Sequence, residues 1–506
     1  MLMDKFVLKC AVLATFCLPI PFTGSCHDTL WEQLQTIHSG TGAGDTLQKH
    51  TPAPLSLEDA ATLLHSNNNP LKISEKGVEL ATAQKRQLNA AWYPAISTSG
   101  GYAHFSNGIS VEGSTGKIVE SLVSGSGLEE LLGQLLPQLA PQIQQIISGL
   151  GTSTFSVPVL DNDISTIDAT AVWPLATGGK RIYANRIGKE GISAAQSLLQ
   201  LTENAQMALM LNCYYTLKLC SSISRMEQEN CSYMNRLLHN ASKLCKEGFI
   251  NKSELLIVQV AQKEAQGRAE NALQQQLTAQ HALEAVLATE IGNTELTGSY
   301  FTLDSLPDIG SITEQIMTYN PTLKLLEHSA DIVANQKNIA RSSYFPTVAI
   351  FARQNIHSYN FPKNLAPRTM AGALMQWDIF DGFAREKEIE KQNIEYSRIQ
   401  LALEQARLDL QTAAIALVGD LSDARNNMAT LQEAVAFSNE LLREREKGFA
   451  EGMCTSTDVV EARNTLMKSQ TALETANWQY CTALADLLAL YSNTSHFILL
   501  HNEYRK

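Results

Sequence analysis

Beyond its first 25 residues the sequence has no apolar run of about 18 residues, the length a membrane-spanning helix needs. That excludes a helical anchor downstream, but not strands. It also lacks catalytic signatures: there is no His-Glu-x-x-His pair and no Gly-x-Ser-x-Gly elbow. Gly178-Gly179-Lys180-Arg181 has neither the upstream Gly nor the following Ser or Thr of a P-loop. The 11 His are dispersed, so no metal ligand set, cofactor or enzyme activity is expected. Clustered basic charge is missing too. The net charge is −12 and the Lys and Arg are scattered along helical patterns, which argues against a nucleic-acid partner. Of the 9 Cys, two fall within the first 25 residues. Cys213, Cys220, Cys231 and Cys245 share one face of one helical run, too far apart to pair within the chain, and read as small buried apolar residues.

The N-terminus is different in kind. Lys5 and Lys9 precede an apolar run from Cys10 to Phe22 that ends in Thr23-Gly24-Ser25, and residues 1–25 read as a secretory signal. Pro19 and Pro21 break a run already too short for an anchor. Cys26, directly after the small residues, is a candidate lipid-attachment site. Residues 26–54 read as an extended arm.

What the sequence does have is a duplication. Trp377-Asp378-Ile379-Phe380-Asp381-Gly382 lies over Trp173-Pro174-Leu175-Ala176-Thr177-Gly178 at an offset of 204 residues. The same offset lays Gly452-Met453 over Gly248-Phe249. Upstream, Asn69-Pro70 answers Asn320-Pro321, and Tyr93-Pro94 answers Phe345-Pro346. Such self-similarity has to be read before any fold. The repeats run over 55–306 and 307–492, with a short polar tail at 493–506.

Each repeat has the same grammar. Ser56, with Asp59 three residues on, caps a short helix, and a second helix starts at a proline and ends before Pro94. Period-two alternation follows: strands about 95–105 and 166–176 in the first repeat, and about 347–356 and 369–380 in the second. Ile167, Ala169, Ala171, Trp173 and Leu175 make one apolar face; Ala371, Ala373, Met375, Trp377 and Ile379 make its counterpart. Residues 106–165 are a long insert in the first hairpin, with an amphipathic stretch from Leu128 to Ile147 interrupted by Pro137 and Pro141. Very long helices then run from about Lys180 to Lys246 and from Ala384 to Lys447. In the second, Leu403, Leu410, Leu417, Ala424 and Leu431 recur every seven residues, and Ala414, Leu421, Met428, Val435 and Leu442 fill the other half of the seam. That is a coiled-coil signature. Returning helices follow, about Ser253 to Thr289 and Thr457 to Tyr491.

Two hairpins supply four strands of bilayer-crossing length. Open sheet edges are too costly in lipid, and four strands cannot close alone, since single-chain bacterial barrels start at about eight. Several chains would have to share one barrel. Three would give twelve strands, with the helices continuing it as a tube. The alternative is a soluble periplasmic coiled-coil interaction protein, for which the helices alone would suffice; the paired alternating strands argue against it.

At this point the residues resemble a known family, the TolC-like outer membrane efflux proteins. The resemblance is carried by Leu57-Glu58-Asp59-Ala60 through Asn69-Pro70, by Tyr93-Pro94 and Phe345-Pro346, and by Trp377 to Gly382. The tip turns Lys246-Glu247-Gly248-Phe249 and Ala450-Glu451-Gly452-Met453 complete it. It implies a mainly α fold with a membrane β-barrel portion: a homotrimer forming a 12-stranded barrel in outer membrane lipid, continued by a periplasmic α-helical barrel. It implies an exit duct, without chemistry of its own, for an inner-membrane transporter reached through a periplasmic adaptor protein. Cargo in the family ranges over drugs, metals and polypeptides, the last in type I secretion. By position, Asp458 and Glu461 fall where the family places acidic rings at the channel entrance. For Asp458 a helix N-cap with Thr455 stands equally open, as does Asn251 with Glu254. Gly248 and Gly452 are first of all helix C-caps needing positive φ; Phe249 and Met453 beside them, with Glu254, are the candidate adaptor contacts. Cys454 stands where some members carry a basic latch residue.

Overall fold

The computed structural model divides the chain into two units, Met1–Lys49 and His50–Lys506. The residues it describes are 54–106, 109–111, 157–160, 163–292, 294–306, 308–360, 367–492 and 494–504, all within the second unit. The signal segment, Cys26, nearly all of the N-terminal arm and the Leu128–Ile147 stretch lie outside the described residues.

Most of what is described is helix. The first repeat contains α1 (Leu57–Asn67), α2 (Asn69–Asn89), β1 (Ala95–His104), β2 (Ile109–Val111), β3 (Val157–Leu160), β4 (Asp163–Thr177), α3 (Lys180–Lys246) and α4 (Lys252–Leu287). The second contains α5 (Ile309–Tyr319), α6 (Pro321–Ser342), β5 (Thr347–Tyr359), β6 (Thr369–Gln376), α7 (Ala384–Ala450) and α8 (Ser456–Leu490), and the chain closes with α9 (Thr494–Tyr504). The helices α3 and α7 have 67 residues each, about 100 Å at 1.5 Å per residue. No helix among the described residues is long and apolar enough to cross a membrane.

The short-helix junctions correct the alignment of the two repeats. Asn68, not Asn69, is the cap of α2: its Oδ1 accepts from Leu71 N at 3.1 Å, and its Nδ2 donates to the Val286 carbonyl at 2.9 Å. Asn320 caps α6 in the same way, accepting from Thr322 N at 2.8 Å and donating to the Leu490 carbonyl at 2.6 Å. Asn68 and Asn320 stand 252 residues apart, as do Tyr93 and Phe345; Val286 and Leu490 stand 204 apart, as do Trp173 and Trp377. The proline misleads the eye because it tolerates either of the first helical positions, where no N–H partner is lost. Both caps are buried, and their second hydrogen bond ties the incoming helix pair to the end of the returning helix.

All ten residues of the α7 heptad seam are buried or half-buried. Two cores result. The larger one lies at mid-length, where Tyr214, Tyr215, Phe301, Tyr480 and Phe497 pack with Leu211, Leu283 and Leu421. The second lies near the hairpin tips, where Met234 and Ala241 of α3 meet Val258 of α4 and Val459 and Leu466 of α8. The inter-repeat segment is drawn into the larger core. Tyr214 Oη accepts from Gly298 N and donates to the Leu55 carbonyl, both at 2.9 Å, and Tyr480 Oη accepts from Leu303 N at 3.1 Å. The helical cysteines are less buried than expected: Cys213, Cys220, Cys231 and Cys245 are half-buried, and only Cys481 is fully enclosed among the described cysteines. Burial pushes the Cys481 thiol up to about 12 and that of Cys213 to about 11, so both pack as apolar groups.

The expected polar tail is instead helix α9. Phe497 and His501, one turn apart, both face the core. The Phe497 ring packs edge-on against Tyr215 and Phe301 at 5.8 and 5.2 Å, and His501 Nε2 accepts from Ser299 N at 3.2 Å. A local excess of polar residues hid the buried pair Phe497 and His501.

The strands form one antiparallel sheet in the order β1-β4-β5-β6, with β2 and β3 a separate ribbon at the base of the insert. Register places Ile96 opposite Ala171, Trp173 opposite Ile350 and Ile350 opposite Ala373, all on one face. The other face carries Ser97, Ser99, Thr170 and an ion pair to the buried Asp168: Arg353 Nη2 donates to Asp168 Oδ2 at 2.6 Å, and Asn355 Nδ2 donates to Oδ1 at 3.0 Å. β1 and β6 are edges, each without a strand partner on its outer side among the described residues.

Strand β6 stops at Gln376, earlier than the alternation to Phe380 suggests. Its first-repeat counterpart β4 runs on to Thr177 because Trp173 to Thr177 pair with β5, whereas β6 is an edge without such a second neighbour among the described residues. At the junction between sheet and long helix, Trp377 Nε1 donates to the Tyr344 carbonyl at 3.2 Å, and Arg385 Nη2 donates to the Ile379 carbonyl at 3.0 Å. In the first repeat Trp173 Nε1 donates to the Trp92 carbonyl at 3.0 Å, and Arg181 Nη2 donates to the Leu175 carbonyl at 2.7 Å. The duplicated Trp and Arg are thus the two clasps of the same elbow.

Candidate functional site at the helical-hairpin tips

Both tips are built from the same two caps. At the first, Gly248 has φ +85°, its N–H donates to the Cys245 carbonyl at 3.2 Å, and Phe249 N–H donates to the Leu244 carbonyl at 2.9 Å. At the second, Gly452 has φ +78°, with Gly452 N to Phe449 O at 3.1 Å and Met453 N to Gly448 O at 2.7 Å. This is the Schellman pattern, and the left-handed residue is Gly because a Cβ there is disfavoured. The hydrophobe that follows is turned outward both times: Phe249 is 76% and Met453 74% exposed.

Three residues past each glycine the next helix is capped. Asn251 Oδ1 accepts from Glu254 N at 2.9 Å. Thr455 Oγ1 accepts from Asp458 N at 3.3 Å, and Asp458 Oδ2 accepts from Thr455 N at 2.8 Å and Thr455 Oγ1 at 2.7 Å. Asp458 therefore closes a full capping box. Those hydrogen bonds from Thr455, with the Arg445 charge as a lesser contribution, hold its carboxyl below the ordinary range, so it is an anion at neutral pH. Glu461, one turn on, is exposed, and its carboxylate has no hydrogen bond or ion pair among the described residues. The cap and the charge at Asp458 coexist; Glu461 is the freer of the two.

Sequence reading missed a basic group at this tip. Arg445 Nη1 approaches Cys454 Sγ at 3.7 Å, so a cation does reach the second tip, from the preceding helix. Its separation of nine residues across a turn is what concealed it. Arg463 lies 4.8 Å from the Tyr233 ring centre, and its Nε donates to Asn230 Oδ1 at 3.0 Å. With the Ser456 hydroxyl donating to the Glu254 carbonyl at 3.4 Å, it ties the second hairpin to the first. Glu254 contributes its backbone to that seam, while Phe249 stands apart on the rim.

Long paired helices end in capped tips at one end, and the sheet at the other has open edges among the described residues. Residues 313–493 match the outer membrane efflux protein family, and the resemblance to TolC-like proteins is borne out. The fold is that of solved outer membrane channels. VceC from Vibrio cholerae superposes with a TM-score of 0.67 at 13% identity, covering 86% of this chain and 96% of its own. The Campylobacter jejuni CmeC channel gives 0.68 at 12%, covering 94% of each chain. The open state of the Neisseria gonorrhoeae MtrE channel gives 0.65 at 13%, covering 87% of this chain and 89% of its own. No curated protein matches the sequence.

Proposed function

We propose that the chain is one protomer of a trimeric outer membrane channel that serves as the passive exit duct of an inner-membrane pump, reached through a periplasmic adaptor. The observation that carries this is the sheet. One face carries an apolar band through Ile96, Ala171, Trp173, Ile350 and Ala373, the other holds the Asp168–Arg353–Asn355 network, and both edges are open among the described residues. A sheet wet on one side and apolar on the other suits a barrel wall, and its edges must be paired by other chains if it sits in lipid.

The helices support the same reading. On α7, Ile394, Leu401, Leu408 and Ile415 repeat every seven residues on the side away from the buried seam, 48–67% exposed. A second apolar heptad stripe, uncovered by the described residues of its own chain, is the surface a neighbouring protomer's helices would cover. Asp458 and Glu461, three copies each, would then ring the entrance with negative charge, and Phe249 and Met453 would meet the adaptor. Fractionation tests the membrane half of this reading. The protein should travel with outer membranes and resist alkaline carbonate; release by carbonate would return it to the soluble coiled-coil class.

A further inference from the structure

One polar cluster is absorbed neither by the packing nor by the duct. Glu190 on α3 and His328 and Asp331 on α6 bring three ligand atoms within 4.8 Å of one another. The two elements come from different repeats. Glu190 lies about 16 Å along α3 from the elbow, and His328 about 21 Å back from the end of α6, so the antiparallel helices present them at nearly one level.

The chemistry of the cluster is unusual for a surface ion pair. His328 Nδ1 is 2.9 Å from Glu190 Oε2, with both side chains mostly shielded at 30% and 23% exposure. Asp331 sits one turn from His328 on the same face, exposed. No Lys or Arg nitrogen among the described residues lies within 4.0 Å of either carboxylate. The cations one turn away are engaged elsewhere: Lys324 lies over the Tyr319 ring at 5.7 Å and Arg186 over Tyr183 at 5.6 Å. Two carboxylates and an imidazole are thus gathered with no Lys or Arg nitrogen beside them among the described residues.

We propose that Glu190, His328 and Asp331 bind a divalent transition-metal ion of the zinc class, one per chain, as a clamp between the two repeats. An imidazole nitrogen with two carboxylate oxygens leaves the remaining positions to water, and the mixed N/O set favours such an ion over magnesium or calcium, which prefer oxygen alone. Bound ligand atoms sit about 3.0–3.5 Å apart at metal–ligand distances near 2.1 Å. The His328–Glu190 pair is nearly at that spacing, and a side-chain rotation of Asp331 closes the third. The site lies inside one chain and does not depend on the channel reading.

The test is isothermal titration of zinc chloride into chelator-stripped, untagged full-length protein in detergent, with magnesium as competitor. One saturable site per chain is expected, abolished in Glu190→Gln, His328→Gln and Asp331→Asn alike, and undiminished by excess magnesium. Asp331→Asn changes an exposed group and Glu190→Gln retains an acceptor for the histidine, so both variants should keep the wild-type circular dichroism and elution volume. Zinc binding that survives His328→Gln, or that magnesium displaces, would overturn the proposal, as would no saturable binding in wild type.

Discussion

The guanidinium of Arg385 lies 4.8 Å from the centre of the Tyr344 ring, at the point where helix gives way to strand. In the first repeat Arg181 lies 4.4 Å from the Trp92 ring. In each case the same arginine holds a carbonyl of the segment leading into the long helix and one before the incoming strand: Ile379 and Ser343 for Arg385, Leu175 and Ala91 for Arg181. Asp381 adds an ion pair to Arg385 Nε at 3.0 Å. The elbow is where the sheet's orientation is fixed relative to about 100 Å of helix.

Arg385→Ala should destabilise the protomer by about 2–3 kcal/mol, because the substitution removes charged hydrogen bonds and a cation–π interaction at once. Arg385→Lys should recover less than half, because a point charge cannot hold two carbonyls and a ring face simultaneously. Urea unfolding followed by tryptophan fluorescence reads both.

The glycines of the elbow and of the tips should differ in their tolerance. At Gly178, with φ +60°, an added Cβ would lie 2.5 Å from the Ser342 carbonyl oxygen; at Gly248, with φ +85°, it would meet nothing within 4 Å. Gly248→Ala should therefore cost about 1–2 kcal/mol, the left-handed penalty alone. Gly178→Ala should exceed it by roughly a further kcal/mol or more, because backbone must move. Equal losses in thermal unfolding would contradict this view of the elbow.

At the second tip, Asp458 has a depressed carboxyl pKa, so its contribution is present above the ordinary carboxylate range, about 3.9, and is lost as pH falls through the lower folded value. Amide exchange at Thr455 to Val459 should accelerate only in that acid window. Thr455→Ala should bring the same fraying at neutral pH, at a cost of about 1 kcal/mol.

Glu461→Gln should change ion selectivity more than it changes stability, since its carboxylate has no partner among the described residues. In planar bilayers its cation preference should fall severalfold relative to wild type, whereas Asp458→Asn should alter selectivity and tip exchange together. Unchanged reversal potentials in Glu461→Gln would remove it from the entrance.

Much of this was legible in the sequence because it rests on period and punctuation. The heptads of α7, the Ser56–Asp59 box and the two tip glycines each announce one local geometry that tertiary packing had no reason to override. What was hidden depends on contacts between distant residues. Arg445 reaches Cys454 only once the tip has turned, the Asp168–Arg353 pair spans two repeats, and Phe497 discloses its role only when the inter-repeat segment supplies Phe301. Asn68 was misaligned by one residue because proline permits two positions at a helix start. His328 and Asp331 stand one turn apart on one helix, but Glu190 joins them from the other repeat, which no local spacing announces.

The central claim is that several chains share one barrel, with the exposed stripe at Leu401 and Leu408 covered by a neighbour. The most direct measurement is the protein mass of the complex extracted in mild detergent, for wild type and for Leu401→Glu combined with Leu408→Glu. A shared barrel predicts a trimer for wild type and dissociated, still helical protomers for the double variant. A wild-type monomer that stays in solution without detergent would contradict it.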